Sequence, residues 1–185
     1  MRQKIISLNE IYLENLRLKK LLSLKDSSPY KVIASSVIGR SADSWASAII
    51  IDKGSYHGIK SGMPVITYAG LLGCISETAR FTSKVLLISD PGFAVSAVIQ
   101  RSRQEGLITG TLGANLIMRY LPDEPDIKVS DTIITSGLNE VYPKSLPIGT
   151  VIDVGNELSG LSRYAIVKPA VNLSNIEEVL VIVQQ

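Results

Sequence analysis

One histidine, one cysteine and a scatter of carboxylates and hydroxyls are the groups in this chain on which bond-making chemistry could rest. In chain order, His57, Asp90 and Ser136 supply a base, an orienting carboxylate and a nucleophile, the residue types of an acyl-transfer triad. A triad needs the imidazole within hydrogen-bond reach of the hydroxyl and a carboxylate that fixes its tautomer; chain order supplies none of that geometry. Cys74 lies in the apolar run Gly70-Leu-Leu-Gly-Cys-Ile75. A lone cysteine forms no intramolecular disulfide and no cysteine-rich metal cage, and in that setting it reads as a small buried hydrophobe. The acidic stretch Asp123-Glu-Pro-Asp126 offers oxygen ligands, but prolines adjoin it and the spaced pattern of a calcium loop is missing, so it reads as a solvated loop. Gly54, Gly58 and Gly62 recur every four residues in a polar segment. The Gly-x-x-x-x-Gly-Lys-Ser/Thr pattern of a phosphate loop is absent, and the segment runs into Met63-Pro64, which begins a strand instead of opening a helix onto an anion. These glycines predict a tight connection whose backbone takes unusual dihedrals.

The His, Asp, Ser order resembles that of trypsin-like serine proteases on paired β-barrels, which stands as an alternative reading. Ser136 sits in Ile134-Thr-Ser-Gly-Leu138, whereas those proteases carry Gly-Asp-Ser-Gly-Gly, so the context that supplies oxyanion-hole donors is missing. His57 then reads as a solvated loop residue. Glycosidase chemistry needs two carboxylates facing across a cleft, and no motif here points to them. No cofactor, no metal and no catalytic residue is assigned, and the chain is read as not an enzyme.

The elements that must position any site follow from composition and periodicity. With 185 residues, 45% apolar and 19% charged, the chain builds real cores and is long enough for one or two small domains. A net charge of +2 with scattered basic residues provides no field that selects nucleic acid or an anionic membrane surface. Aromatic residues make up only 5% and form no series on which bases could stack, so nucleic acid is excluded as a partner. No window approaches the ~20 apolar residues of a membrane span, and the N-terminus has no apolar signal-peptide core.

Residues 1–25 contain neither Gly nor Pro and carry apolar residues at helical spacing, which predicts one long helix of about 37 Å. Leu8, Asn15 and Leu22 at a positions with Ile11 and Leu18 at d positions give the 3,4 alternation of a heptad. Asn at an a position favours a two-stranded register, so this seam predicts a homodimeric coiled-coil stalk. Leu13, Leu16 and Leu21 widen the apolar stripe, which leaves docking of the helix on its own domain open as well. Asp26-Ser-Ser-Pro29 stops the helix.

From Tyr30 onward short β-rich runs alternate with Gly, Pro, Asp, Asn and Ser. Strands are expected at 31–38, 46–52, 64–68, 71–77, 84–88, 94–99, 106–111, 115–120, 131–135, 148–154, 164–168 and 178–183. That number exceeds one small sheet, so the fold class is mainly β, an N-terminal coiled-coil helix followed by two small β-barrel-like domains at 30–105 and 106–185. The last strand has the option of returning to the first domain. The apolar run Glu178-Val-Leu-Val-Ile-Val183 must pair internally or become a sticky edge. Trp45 reads as a core or domain-packing residue, with an interface anchor as the other option.

Thr132-Ile-Ile-Thr-Ser-Gly-Leu-Asn-Glu-Val-Tyr-Pro-Lys-Ser-Leu-Pro-Ile-Gly-Thr-Val151 reads as strand, turn, proline-bracketed loop and strand. It resembles the C-terminal signature of the MreC family of bacterial rod shape-determining proteins. Other blocks follow in the family's order: Glu14-Asn-Leu-Arg-Leu-Lys-Lys-Leu-Leu22, Ala34-Ser-Ser-Val-Ile-Gly-Arg40, Ile51-Asp-Lys-Gly-Ser-Tyr-His-Gly-Ile-Lys-Ser-Gly-Met-Pro-Val65, and Ser89-Asp-Pro-Gly-Phe-Ala-Val-Ser-Ala97 with Arg101 and Gly106. Two turn positions depart from the family pattern: Ser130 and Ser145 stand where it usually carries Gly.

The resemblance implies a scaffold outside the cytoplasmic membrane, periplasmic in a Gram-negative cell, preceded by a cytoplasmic tail and a transmembrane anchor that lie outside this sequence. Its implied partners are a class B penicillin-binding transpeptidase, its SEDS glycosyltransferase, MreD and, through the preceding tail, the actin-like MreB, with filaments as an extension of the homodimer. A purely self-assembling structural protein is the other alternative.

Overall fold

Short runs rich in β-branched residues between turn-forming clusters produce twelve strands among the described residues, and each run expected from the sequence forms one, with ends displaced by a residue or two. The computed structural model describes residues 2–27, 29–41, 47–111, 113–121, 126–138, 141–156 and 163–184, without the side chains of 2–9, Ser27 and Gln184. Trp45 lies outside the described residues. Helix α1 spans Arg2–Ser27, running through Asp26 before Pro29 ends it. The strands are β1 Lys31–Arg40, β2 Ala48–Ile51, β3 Pro64–Thr67, β4 Gly70–Thr78, β5 Ser83–Leu87, β6 Ala94–Ile99, β7 Glu105–Gly110, β8 Leu116–Arg119, β9 Thr132–Thr135, β10 Pro147–Asn156, β11 Arg163–Pro169 and β12 Glu178–Gln184.

They close two antiparallel barrels, one in the order β1-β12-β3-β4-β5-β2 and one in the order β10-β11-β8-β7-β6-β9. Register shifts in β1, in the β3–β4 pair and in the β4–β5 pair bend the first barrel, and shifts in β10 bend the second. One extra residue on one side of a ladder raises local twist, which lets strands this short close on themselves. Pro147 opens β10, a position where its missing donor does little damage.

One strand, β6, departs from the expected division at residue 105, and the last strand takes the option of returning to the first domain. β6 pairs with β7 and β9 in the second barrel, and β12 pairs with β1 and β3 in the first. The physical reason is burial on two faces. Val179 and Val181 of β12 face the first barrel's interior with Ile49, Ile51, Leu72 and Val85. Leu180 and Ile182 face outward, into the cluster that holds Ile99, Ile108, Met118, Ile133 and Val167 of the second barrel. β3 and β4 behave alike, with Val65 and Leu72 inward and Ile66 and Leu71 outward. The outer wall of one barrel is thus continuous with the core of the other.

Gly70 sits where the barrels touch: a Cβ there would lie 2.2 Å from the Pro147 carbonyl oxygen, and its φ is +143°. The ring of Tyr142 meets the Phe93 ring edge-on at 6.1 Å. Cys74 is half-buried at this junction and not a fully buried core residue. Burial pushes both the thiol and the phenol above their usual ranges. Fully buried Thr135 ties the proline-bracketed loop back onto β9, donating to the Pro143 carbonyl and accepting the Leu146 N–H at 2.9 Å.

Ser130 and Ser145 adopt φ of +76° and +70°, keeping the left-handed backbone that glycine ordinarily serves. Their amides explain why the conformation persists: Ser130 N–H donates to Val151 O at 2.8 Å and Ser145 N–H to Thr135 O at 3.0 Å. A left-handed L-residue costs roughly 1–2 kcal/mol, and glycine's extra unfolded-state freedom takes back about 0.5–1. Ser130→Gly and Ser145→Gly should therefore each stabilise the chain by about 0.5–1 kcal/mol in urea unfolding; a loss of stability in both would show that the turns are not strained.

Candidate functional site

The three residues that could have formed a triad each bond to separate partners. His57 Nδ1 accepts the Gly54 N–H at 3.3 Å in the 3-10 turn Ser55–His57. The buried Asp90 carboxylate accepts the Ser47 N–H at 2.9 Å and the Gly92 N–H at 2.7 Å. Ser136 Oγ donates to the Ser96 carbonyl at 3.2 Å and accepts the Leu138 N–H at 3.3 Å. Among the described residues none of the hydrogen bonds of these three runs to another of them, and no group of His, Cys, Asp or Glu is placed to hold a metal.

The densest ionic cluster is structural. Arg101 donates from Nε and Nη2 to the two carboxylate oxygens of Asp131 at 2.8 and 2.9 Å. It also donates from Nη1 and Nη2 to those of Asp126 at 2.6 and 3.0 Å. The Lys128 N–H completes Asp131 at 2.8 Å. Residues 123–125 of the acidic stretch lie outside the described residues, and Asp126 is taken up by this fork. The guanidinium holds both carboxyls below the usual range, and they in turn raise the arginine.

A carboxyl depressed in the folded state stabilises it above its unfolded pKa, near 3.9, and that contribution fades as pH falls through the lower folded value. Arg101→Gln should accordingly lower the melting temperature at neutral pH and flatten its decline below about pH 4. A variant whose acid limb retains the wild-type slope would assign that limb to other groups.

A cleft of about 690 Å³ lies beside Arg40, Ser47, Leu87, Asn115, Lys168 and Leu173. Arg40 is already spent there, donating to the Leu173 and Ser174 carbonyls at 3.1 and 2.7 Å, so its charge serves to pin the loop before β12.

The surface with the character of an interaction site is α1. It docks on the first barrel by a narrow stripe. Leu21 is 7% exposed, Leu24 packs beside it, and the Lys20 ammonium lies 5.1 Å from the centre of the Tyr68 ring. Arg17 pairs with Glu177 and reaches Glu178 at 3.6 Å. Burial raises the Glu178 carboxyl, and Arg17 pulls it back.

Positions 17, 21 and 24 share one helical face, while 11, 15, 18 and 22 share another. On that second face Ile11, Leu18 and Leu22 are 59, 45 and 56% exposed, and Asn15 is exposed with them. Leu8 shares the heptad, but its side chain lies outside the described residues. The helix therefore docks through Leu21, one of the residues that widened the stripe, and leaves the expected seam uncovered within one chain. The Arg17, Lys20, Tyr68, Glu177 and Glu178 contacts had no sequence signal beyond an acidic pair at the start of a strand, because Arg17 and Glu177 lie 160 residues apart.

Truncating Leu21 should release this face at the margin of the apolar cluster it joins. Leu21→Ala is expected to speed amide exchange over residues 17–27 by about tenfold or more while the barrel amides keep their protection. Equal acceleration throughout would make the helix part of the global folding unit.

The family model "Rod shape-determining protein MreC, barrel core" matches residues 37–183. A curated relative, the cell shape-determining protein MreC of Geobacillus stearothermophilus, is 36% identical over 190 residues, an alignment covering 95% of this chain and 65% of that protein. The chain thus spans slightly under two thirds of that relative's length. A solved MreC structure superposes with a TM-score of 0.86 at 29% identity, covering 93% of this chain and 98% of the other. The MreC of Helicobacter pylori, solved in complex with a penicillin-binding protein, shares the fold at a TM-score of 0.64 and 14% identity, covering 82% and 99% of the two chains.

Proposed function

The chain belongs to the MreC family of rod shape-determining proteins, and from that premise we propose that it is a non-enzymatic, membrane-tethered scaffold of the cell-wall elongation machinery. It stands on the outer face of the cytoplasmic membrane and organises or activates a class B penicillin-binding transpeptidase. The observation that carries the reading is the matched barrel core together with an apolar stalk face that its own barrels leave uncovered. The Helicobacter pylori protein of the same fold, solved with a penicillin-binding protein, supports the choice of partner. No helix among the described residues is long and apolar enough to cross a membrane.

In this reading the chain has three working parts: the stalk, a first barrel completed by the returning β12, and a second barrel from β6 to β11. Leu8, Ile11, Asn15, Leu18 and Leu22 form the homodimer seam. Fully burying a Leu or Ile is worth about 1.5–3 kcal/mol, so a few such residues per chain suffice for a modest dimer, with Asn15 fixing register. Head-to-tail extension of such dimers gives filaments. The SEDS glycosyltransferase, MreD and, through the preceding tail, MreB complete the assembly. Binding activates the transpeptidase to the extent that the scaffold prefers the enzyme's active conformation over its inactive one.

Every barrel strand has two ladder partners, which closes the edge-pairing route to a partner and leaves side-chain surface as the means of docking. Equilibrium binding to the purified extracytoplasmic part of the elongation transpeptidase should be saturable and absent with an unrelated transpeptidase. In sedimentation, the Ile11→Asp/Leu18→Asp variant should shift the chain from dimer to monomer. A folded sample that fails to bind at high concentration would overturn the transpeptidase reading in favour of a purely self-assembling structural protein.

A further inference from the structure

Aromatic residues are scarce in this chain, yet two of them stand exposed and in contact at one end of the first barrel. Tyr56 is 71% and Phe81 53% exposed, with ring centroids 5.7 Å apart and planes tilted by 55°. His57 lies edge-on to Tyr56 at 5.5 Å, and the Arg80 guanidinium sits 5.2 Å from the centre of the Phe81 ring. The scaffold reading gives this cluster no task.

The cluster is built by the backbone. Ser55 and Tyr56 N–H groups donate to the Ala79 and Arg80 carbonyls at 2.9 and 3.0 Å, and Ala79 N–H closes the β4–β5 turn on Thr82 O at 2.9 Å. Gly54 permits the approach: a Cβ there would fall 2.3 Å from the Ala79 oxygen. Gly58 and Gly62 take φ of +87° as expected from the sequence, but Gly54 is extended and serves close packing. Rings held in this way lose little freedom on binding.

The polar groups beside the rings are donors. Because His57 Nδ1 accepts the Gly54 N–H, the neutral ring carries its proton on Nε2, and a guanidinium only donates. The cluster therefore fits a ligand with an apolar C–H face bordered by acceptor oxygens. Nucleic acid fits poorly, since a net charge of +2 provides no electrostatic track for phosphates and the tilted rings form no continuous stacking surface.

Strand registers fix where the cluster points. Ile51 pairs with Ser83, Thr78 with Ser83, Pro64 with Cys74 and Lys31 with Gln184, so the β4–β5 turn shares one end of the barrel with the start of β1. Helix α1 enters at that end, meets Glu177 and Glu178 at the other through Arg17, and runs on from there toward its N-terminus. The cluster thus faces away from the stalk's free end.

We propose that this pole is a carbohydrate site, in which Tyr56 and Phe81 stack on sugar rings while His57 and Arg80 donate to the acyl and hydroxyl oxygens of a chain of N-acetylated amino sugars. It extends the scaffold reading, because the protein would then grip the wall polymer as well as its enzymes, and it stands independently of transpeptidase binding.

The test is co-sedimentation of the chain with purified peptidoglycan, and NMR titration with chitotetraose. Saturable binding is expected, with shifts confined to residues 54–58 and 79–82. Tyr56→Ala/Phe81→Ala should weaken it about tenfold or more at an unchanged melting temperature, while Phe81→Tyr stays within about twofold. Absence of binding, or equal binding by the double variant, overturns the proposal. So does a double variant that alters only self-association in sedimentation or adsorption to anionic phospholipid vesicles, because the occupant is then a second copy of this chain or lipid.

Discussion

Burial of β12 on both of its faces is the constraint around which the molecule is arranged. Val179 and Val181 complete the interior of the first barrel, and Leu180 and Ile182 complete the apolar cluster shared with the second. At about 1.5–3 kcal/mol for each fully buried aliphatic side chain, this one strand supplies a stabilisation comparable to a small domain's net stability. It also follows every strand of the second barrel, so the first barrel closes only across that intervening segment. The intervening second barrel must therefore leave β11 in a position from which the chain can return, and the loop pinned by Arg40 makes that return.

The same arrangement makes the barrels one mechanical body. A hinge between two self-contained cores would expose little apolar surface, whereas separation here would uncover Ile66, Leu71, Leu180 and Ile182 together. Close contacts tighten the junction further, with Tyr142 edge-on to Phe93 and the Gly70 backbone meeting that of Pro147. A scaffold benefits from such rigidity, since a surface that holds its shape does not spend binding energy on ordering itself. The stalk contrasts with this body: it touches the barrel through a single stripe centred on Arg17 and Leu21, and most of its apolar residues face away.

Closed ladders shape function as much as they do stability. With every strand paired on both sides, neither barrel presents a free row of N–H and C=O groups, so recognition falls to side chains on the outer walls and turns. The strained serines at 130 and 145 and the Arg101 fork show where the turns of the second barrel are held by specific polar bonds. Those interactions set loop shape, and loop shape sets which surface a partner meets.

The sequence by itself determined the local elements, because their signals are local. The helix α1 and the twelve strands of the described residues depend on periodicity and backbone preference over a few residues. It also weakened the protease reading, since Ser136 lies in Ile134-Thr-Ser-Gly-Leu138 and lacks the Gly-Asp-Ser-Gly-Gly context. Tertiary structure alone decided which strands share a barrel. β3, β4 and β12 are apolar on both faces, so their runs carry no alternation to mark an inside, and a cut at residue 105 put β6 in the wrong barrel and left the placement of β12 open. It alone decided which face of the helix is docked, because Leu21 and Leu18 differ by three positions in sequence and only the contact with the barrel tells them apart. The pairing of Tyr56 with Phe81 is of the same kind: two rings separated along the chain meet because backbone hydrogen bonds join a 3-10 turn to a hairpin tip, a distance that no sequence pattern records.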